Sequence, residues 1–252
     1  MILAVIFLPS LAQALQPLIT DDTGTIGQGR NQAEFSVSRD RESSPGDGMH
    51  ARTVAAVYTR GLSDNLDIYF GTSHISCREH STGNRFRGQE NPVTGVKWRF
   101  YENAETGNSL VLKPELALPV SERNEAAGLG SGKASAALMA VLTHEVGFGA
   151  IHVNLGAGRE RYRDPASNPD VATSHVSVAP VWDVSPQWKL VADLGTRHAR
   201  AGGIGERTNF LELGAIYAPD EDLEFAFGLI RQTATGDIRT TSATAGITWR
   251  FD

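Results

Sequence analysis

Three side chains near the middle of the sequence could together hold a metal ion. His144 and Glu145 are adjacent, and His152 follows eight residues after the first histidine. A zinc-protease motif needs its two histidines four residues apart on a helix, whereas these residues flank an expected β-turn. We therefore expect one turn histidine and one interior histidine, and we predict neither a metal nor a cofactor.

The stretch GLGSGKAS, residues 128–135, is similar to a phosphate-binding P-loop. Ala127 replaces the first Gly of that motif and Ala134 replaces its Ser or Thr. The stretch also lies between two expected strands, without the strand-to-helix context that a P-loop requires. It is predicted to be a flexible surface loop.

The adjacent acids Asp21 and Asp22 lie beside Thr23 and Thr25, so they could supply oxygen ligands to Ca²⁺. The spacing is not that of a calcium-binding loop. A solvated or turn-forming role is therefore expected for both acids.

Ser177 and His175 share one face of a predicted strand and could form part of an esterase. An esterase in a barrel wall needs both side chains within reach of lipid, and the alternation places them on the interior face instead. We therefore predict that the protein is not an enzyme, and an outer-membrane hydrolase is the third hypothesis only.

Past Gln32 almost the whole sequence alternates with period two, which predicts β-strands that have two different faces. One segment, 124–142, has a helix-like composition, but three Gly within it make a long helix costly. The twelve predicted strands are 31–41, 51–60, 66–77, 92–101, 108–119, 134–143, 149–161, 173–184, 188–199, 208–217, 223–233 and 241–251.

The connections between these strands alternate in length. Short turns such as SPQ, residues 185–187, follow the even-numbered strands, and longer polar loops such as SERNEAAGLGSGK, residues 121–133, follow the odd-numbered ones. An even strand number with short turns at one end and long loops at the other is typical of a bacterial outer-membrane barrel. The predicted fold class is therefore all-β, a transmembrane antiparallel up-and-down β-barrel of about 12 strands.

The two faces of each strand differ in polarity. Leu112 and Leu116, for example, alternate with Lys113 and Glu115. A membrane barrel turns the apolar face to lipid and the charged face to the lumen, the reverse of a soluble β-sandwich, which is the alternative. Aromatic residues cluster near the short turns and the C-terminus, as in the girdle of a membrane interface: Tyr58, Trp98, Trp182, Trp188, Tyr217, Trp249 and Phe251.

Composition and the N-terminus agree with a secreted barrel. The 252 residues have a net charge of −6 and a mean hydropathy of −0.23. The sequence has no basic stripe of the kind that would indicate binding to nucleic acid. The single cysteine, Cys77, excludes an intramolecular disulfide framework and is expected to be a small buried or loop residue. The stretch MILAVIFLPSLAQA predicts a signal peptide that is cleaved after Ala14.

Residues 15–37, LQPLITDDTGTIGQGRNQAEFSV, do not alternate. They resemble the opening of a family of proteobacterial outer-membrane proteins named for transport in the meta-pathway of phenol degradation. The hairpin from Tyr58 to Ile68 is also similar to one in that family. The resemblance implies an outer-membrane barrel that passes small, aromatic compounds, and the matching residues are Pro17, Leu18, Thr20, Asp21, Asp22, Gly24, Thr25, Gly27, Gly29, Gln32 and Glu34.

The expected organisation is a signal peptide at 1–14, a periplasmic N-terminal segment at 15–30 that could also enter the barrel mouth, and a barrel at 31–252. Strand parity predicts Asp67, Lys189 and Glu224 at equivalent lumenal positions near the short turns. The full set of predicted lumenal residues is Glu34, Lys97, Arg99, Lys113, Glu115, His152, Asn154, His175, Asp183, Lys189, Asp193, Glu212, Glu224 and Arg250.

The leading functional hypothesis is an outer-membrane channel or porin for small solutes. Twelve tilted strands would leave a passage of about 10 Å, and its mixed charges would favour neutral or zwitterionic solutes. The alternative is a closed structural or binding barrel. Expected partners are outer-membrane lipids, small solutes and the barrel-assembly machinery, but not nucleic acid, and we expect a monomer.

Overall fold

The structure is a computed structural model that describes residues 17–45 and 47–252, so the predicted signal peptide lies outside the described residues. Within the described residues, no helix is long and apolar enough to span a membrane. The elements in chain order are β1 (Asn31–Ser44), β2 (Asp47–Ser63), β3 (Leu66–Glu79), β4 (Arg85–Gln89), β5 (Val93–Asn103), β6 (Asn108–Ala117), α1 (Glu122–Ala126), β7 (Ser135–Val146), β8 (Gly149–Glu160), β9 (Val171–Asp183), β10 (Trp188–Ala201), β11 (Ile204–Tyr217), β12 (Leu223–Ala234) and β13 (Ile238–Phe251).

These strands form one closed antiparallel barrel. Strands that follow each other in the chain pair with each other, except that β5 pairs with β3 and not with β4, and β1 pairs with both β2 and β13, so the sheet closes on itself. Along β3, the half nearer the long loops, residues 74–78, pairs with the short strand β4. The half nearer the short turns, residues 66–71, pairs with β5. Pro92 lies between β4 and β5 and cannot donate a ladder hydrogen bond, so together they fill one position. The predicted 12-strand barrel is confirmed.

The segment with helix-like composition mostly forms no helix. Helix α1 is five residues long, and the Ser121 side chain caps it by accepting from Asn124 N. Gly128 and Gly130 follow with positive φ, and β7 begins at Ser135. The loop nevertheless differs from the flexible surface loop that was predicted.

That loop folds into the long-loop end of the barrel and packs there. Leu129 is 5% exposed and packs against a small apolar cluster on the inner wall that consists of Met49, Ala51, Ile75, Cys77 and Phe86. The Asn91 amide donates to Leu118 O and Ser131 O and accepts from Ser131 N. The prediction of a flexible surface loop was wrong because it followed the glycine-rich composition and did not take into account Leu129, the apolar side chain that the barrel buries. Cys77 is buried, as predicted.

The polarity of the barrel is reversed relative to a soluble protein. Lys113, Asp193 and Glu212 are inside and no more than 2% exposed, whereas Phe35 and Leu229 point outward and are 52% and 66% exposed. An apolar outer wall around buried charges is stable only with lipid outside. The protein is an outer-membrane β-barrel.

Aromatic rings pack in contact with one another around the short-turn end. Trp188 lies 4.8 Å from Tyr217 between ring centroids, and Trp249 lies 4.5 Å from Phe251. Trp98 and Trp182 make similar contacts on other strands. Most rings of the predicted aromatic girdle therefore adjoin other rings at the short-turn end, where several point outward.

Candidate functional site

The N-terminal segment, residues 17–30, lies inside the barrel. Leu18, Thr20, Asp21 and Thr23 are buried although none of them belongs to a strand. Leu18 packs against an apolar patch of the inner wall formed by Ala179, Val181, Val191, Ile216 and Ala226. The segment therefore occupies the space that twelve strands alone would leave as an open passage.

Asp21 lies at the centre of this interior. Its carboxylate oxygens lie 2.7 Å from Lys113 Nζ and 3.1 Å from Lys97 Nζ, and all three side chains are at most 8% exposed. With its amide oxygen turned toward the segment, Asn154 accepts from Asp21 N at 2.6 Å. The solvated role expected for Asp21 is wrong, because two buried lysines converge on its carboxylate and each buried ammonium group needs a counter-charge.

Asp22 extends the same ion-pair cluster. Its carboxylate lies 2.9 Å from Lys97 Nζ and also accepts from Gly24 N at 2.7 Å. Burial acts to raise the pKa of Asp22, but the Lys97 ammonium outweighs it and holds that pKa well below its usual range. Asp22 is therefore ionised at neutral pH and attracts Lys97 toward the segment.

Asp193 holds the segment from the opposite wall. Its carboxylate accepts from Ile19 N at 2.9 Å, from Thr20 N at 2.7 Å and from Thr20 Oγ1 at 2.6 Å. Thr20 Oγ1 also lies 2.6 Å from Ser177 Oγ. Two backbone donors and one hydroxyl on a single carboxylate fix the position of the chain at this point.

Nearer the short-turn mouth the segment contacts the turn between β2 and β3. Ile26 N donates to Asp67 at 3.2 Å, and Gly29 N donates to Gly61 O at 3.0 Å. Gly61 allows this approach because a Cβ there would lie 1.8 Å from Gly27 O. A glycine is therefore required where the segment crosses the rim.

Three acidic side chains of the interior have oxygens without a hydrogen-bond partner among the described residues. These oxygens are Oε2 of Glu34, Oδ1 of Asp67 and both carboxylate oxygens of Glu212. Glu212 lies directly opposite Asp193 in the β10–β11 ladder, so two carboxyl groups are neighbours there. Glu34 and Asp67 line a cavity of about 120 Å³ between the segment and the wall, together with Lys97, Glu224 and Arg250.

The predicted lumenal residues divide into an interior group and a mouth group. The buried residues are Glu34, Lys97, Lys113, Glu115, His152, Asn154, Asp193 and Glu212. Arg99, His175, Glu224 and Arg250 are half-buried, and Asp183 and Lys189 are exposed at the short-turn mouth, where their charged atoms lie 3.7 Å apart. Asp67, Lys189 and Glu224 therefore share inward parity but not burial, since Asp67 is only 1% exposed.

The balanced lining of facing charges that the sequence suggested is wrong. The two central lysines contact acids of the N-terminal segment. Within the predicted lumenal set the ion pairs are Arg250–Glu224 at 3.1 Å and Lys189–Asp183 at 3.7 Å, both near the short-turn mouth. Asp193 and Glu212 adjoin each other with the same sign of charge. The physical reason is that the segment brings its own carboxylates into the lumen, which strand parity does not reveal.

The histidine positions agree with the prediction of one turn and one interior residue. His152 is buried with Nδ1 2.8 Å from Thr143 Oγ1, and His144 is exposed with Nδ1 3.0 Å from Asn108 Oδ1. His175 covers Gly156, where a Cβ would lie 2.2 Å from its ring. Across the residues that the structure describes, no group of three His, Cys, Asp or Glu is arranged to hold a metal ion.

Comparisons with known proteins support the fold. No protein-family model and no curated protein matches the sequence. An outer-membrane channel from Pseudomonas putida F1 is similar with a TM-score of 0.72 at 13% identity, over 91% of this chain and 98% of that one. The β domain of the Bordetella autotransporter BrkA has a TM-score of 0.58 at 13% identity, over 89% and 100%. The NanC porin has a TM-score of 0.54 at 9% identity, over 85% and 98%. At these identities the likeness establishes a shared fold, that of bacterial outer-membrane barrels.

Proposed function

We propose that this barrel is a channel for small solutes whose passage is narrowed by the N-terminal segment. The observation that carries the proposal is how the segment is held. Inside the barrel its bonds run to side chains such as Lys97, Lys113 and Asp193, and the wall strands pair fully with one another without it. The segment can therefore move while the barrel stays intact.

The polar interior also suits a channel. Charged and hydroxyl-bearing side chains surround the segment, and the cavity beside it has a volume of about 120 Å³. An engineered cavity of ~150 Å³ holds a benzene ring, so the space beside the segment is close to the size of one small ring. Solutes larger than this would require the segment to shift.

We further propose that the solutes are small hydroxylated aromatic compounds, and that the chain belongs to the meta-pathway phenol-degradation family. Two features support this proposal. The TDDTGT stretch, residues 20–25, that carries the resemblance is the stretch whose acids contact Lys97 and Lys113. The cavity beside it also offers carboxylate oxygens that could accept from a phenolic hydroxyl.

The second candidate function is a closed barrel that binds or stabilises without conducting. The buried contacts of Asp21 and Asp193 favour it, because they would hold a permanent plug equally well. The two functions differ in whether ions cross the protein.

Single-channel recording in planar bilayers separates them. The channel proposal predicts small conductance steps for the wild-type protein, with brief blocks of the current when phenol is added. Passage in liposome-swelling assays should fall sharply between a pentose and a disaccharide. A correctly folded protein that never conducts would refute the channel and favour the closed barrel. Conduction without any effect of phenol would refute only the aromatic specificity.

A further inference from the structure

One side of the outer wall carries a concentration of arginines at the long-loop end. They lie on five strands, β12, β1, β2, β3 and β4, which together with β13 are consecutive neighbours in the barrel, and all of their side chains are exposed. We call them the arginine patch: Arg39, Arg41, Arg52, Arg78, Arg85, Arg87 and Arg231.

The strand register aligns these residues in two rows that run across the sheet. One row passes from Arg231 through Thr241, Arg41, His50 and Arg78 to Arg85, each residue directly opposite the next. The second row, two residues lower, passes from Arg39 through Arg52 and Ser76 to Arg87. The patch is therefore one continuous surface of the sheet.

Two of these contacts join like charges. Arg39 lies directly opposite Arg52, and Arg78 lies directly opposite Arg85. Like charges at directly opposed positions destabilise a sheet unless something neutralises them. The arrangement therefore indicates an anion that is external to the protein.

The protein supplies no counter-charge on this surface. The outward positions of the six strands, all of which the structure describes, hold no Asp or Glu, and none of the seven arginines forms an ion pair with a described residue. The exposed Arg159 of β8, by contrast, has a partner in the following loop, Asp170, at 3.2 Å.

The height of the patch matches the outer edge of the membrane. Arg39 lies eight residues above the start of β1 and Arg78 twelve above the start of β3, which corresponds to about 20 to 30 Å for tilted strands. Just below, on the same strands as Arg39 and Arg52, lie the lipid-facing side chains Phe35 and Val54. An apolar wall beneath an arginine row matches a lipid whose chains lie below its anionic headgroup.

We propose that the arginine patch binds the phosphate groups of a phosphorylated glycolipid in the outer leaflet. Guanidinium groups bind phosphate oxygens in a bidentate manner and hold little water, so they suit a site at the edge of the membrane. The acyl chains of the same molecule would pack on Phe35 and Val54. A soluble polyanion would use the arginines and leave this apolar surface unused.

The test measures binding of bis-phosphorylated lipid A to the detergent-purified protein by native mass spectrometry. Lipid A without its phosphates serves as the second probe. The variant Arg39→Gln/Arg52→Gln/Arg78→Gln/Arg85→Gln removes both like-charge pairs. The control, Arg159→Gln/Arg200→Gln, removes exposed arginines of β8 and β10, on the other side of the barrel, and is matched to a double variant of the patch.

We expect the wild type and the control to bind the phosphorylated lipid and the patch variant to bind it at least about 100-fold more weakly, at about fivefold per arginine. If the fourfold variant does not fold, as judged by loss of resistance to SDS, the double variants Arg39→Gln/Arg52→Gln and Arg78→Gln/Arg85→Gln should each still weaken lipid binding about 25-fold. Equal binding by the patch variant would overturn the proposal, as would equal binding of the dephosphorylated lipid. Displacement of the lipid by soluble polyphosphate at the same affinity would show a soluble polyanion as the ligand and would also overturn it.

Discussion

Replacing Asp21 by Asn should release the N-terminal segment from the barrel interior. The change keeps the size of the side chain but removes the carboxylate that lies 2.7 Å from Lys113 and 3.1 Å from Lys97. The Lys97–Asp22 contact at 2.9 Å remains. The variant therefore isolates the central carboxylate and leaves the rest of the segment unaltered.

The expected magnitude follows from the burial of this cluster. Removing one partner of a buried ion pair costs about 3 to 5 kcal/mol, because the remaining charge keeps the cost of burial. The wall strands do not pair with the segment, so the cost falls on docking of the segment and not on the barrel. Water can reach the lysines once the segment leaves, so the lower end applies, which is a shift of about 100-fold toward the released state.

Planar-bilayer recording measures this shift as the fraction of time in a large-conductance state. Asp164→Asn, an exposed loop aspartate at the other end of the barrel, is the matched control and should behave as the wild type. Both proteins should resist SDS unfolding at room temperature. If Asp21→Asn folds but opens no more often than Asp164→Asn, the ion-pair cluster does not hold the segment and the reasoning fails.

Three further predictions concern the rim contact of the segment, the lumenal lysines and the loop 118–134. Gly61→Ala places a Cβ where Gly27 O lies, so it should loosen the rim contact and raise conductance without loss of SDS resistance; unchanged conductance would contradict the close approach. Lys189→Glu, at the exposed mouth, should move reversal potentials modestly toward cation preference. Lys113→Glu should instead put a second carboxylate beside Asp21 and mainly increase the frequency of channel opening. The same change of ion selectivity in both variants would contradict the different burial of the two lysines. Burial acts to raise the pKa of Glu125, but the backbone N–H groups of Arg163 and Gly132 and the Arg163 guanidinium outweigh it and hold that pKa below its usual range. The contribution of Glu125 to stability is therefore complete above the ordinary Glu pKa and is lost as pH falls through the lowered pKa. Proteolysis of the loop 118–134 should therefore increase on acidification in the wild type and be high at every pH in Glu125→Gln, and a pH-independent wild type would contradict this contact.

The barrel could be predicted from the sequence because the alternation of apolar and polar residues within each strand identifies the two faces of that strand. Leu112 and Lys113, or Leu194 and Asp193, belong to opposite faces whatever the neighbouring strands do, and loop lengths then determine which strand end is which. Strand β4 was missed because Arg85–Gln89 is too short and too close to Gly83 and Pro92 for its alternation to be distinct.

The interior could not be predicted in the same way because it depends on contacts between distant parts of the chain. Asp21 meets Lys97 and Lys113 across 76 and 92 residues, and no local pattern encodes such a meeting. The available signal was indirect, since two interior lysines on neighbouring strands need acids, and Asp21 and Asp22 are adjacent acids in the segment that precedes the first strand. Leu129 was missed for the same reason.

The central claim, that a movable N-terminal segment controls an open passage, is tested most directly by locking the segment in place. Thr20 Oγ1 and Ser177 Oγ lie 2.6 Å apart, so Thr20→Cys/Ser177→Cys in a Cys77→Ser background should form a disulfide between segment and wall. Single-channel conductance is then recorded before and after addition of a reductant. If the segment moves to open the passage, the oxidised protein should show rare, small conductance steps and should show frequent large openings after reduction. The control protein Thr20→Ser/Cys77→Ser should be insensitive to the reductant. The same conductance in the oxidised and reduced protein would contradict it.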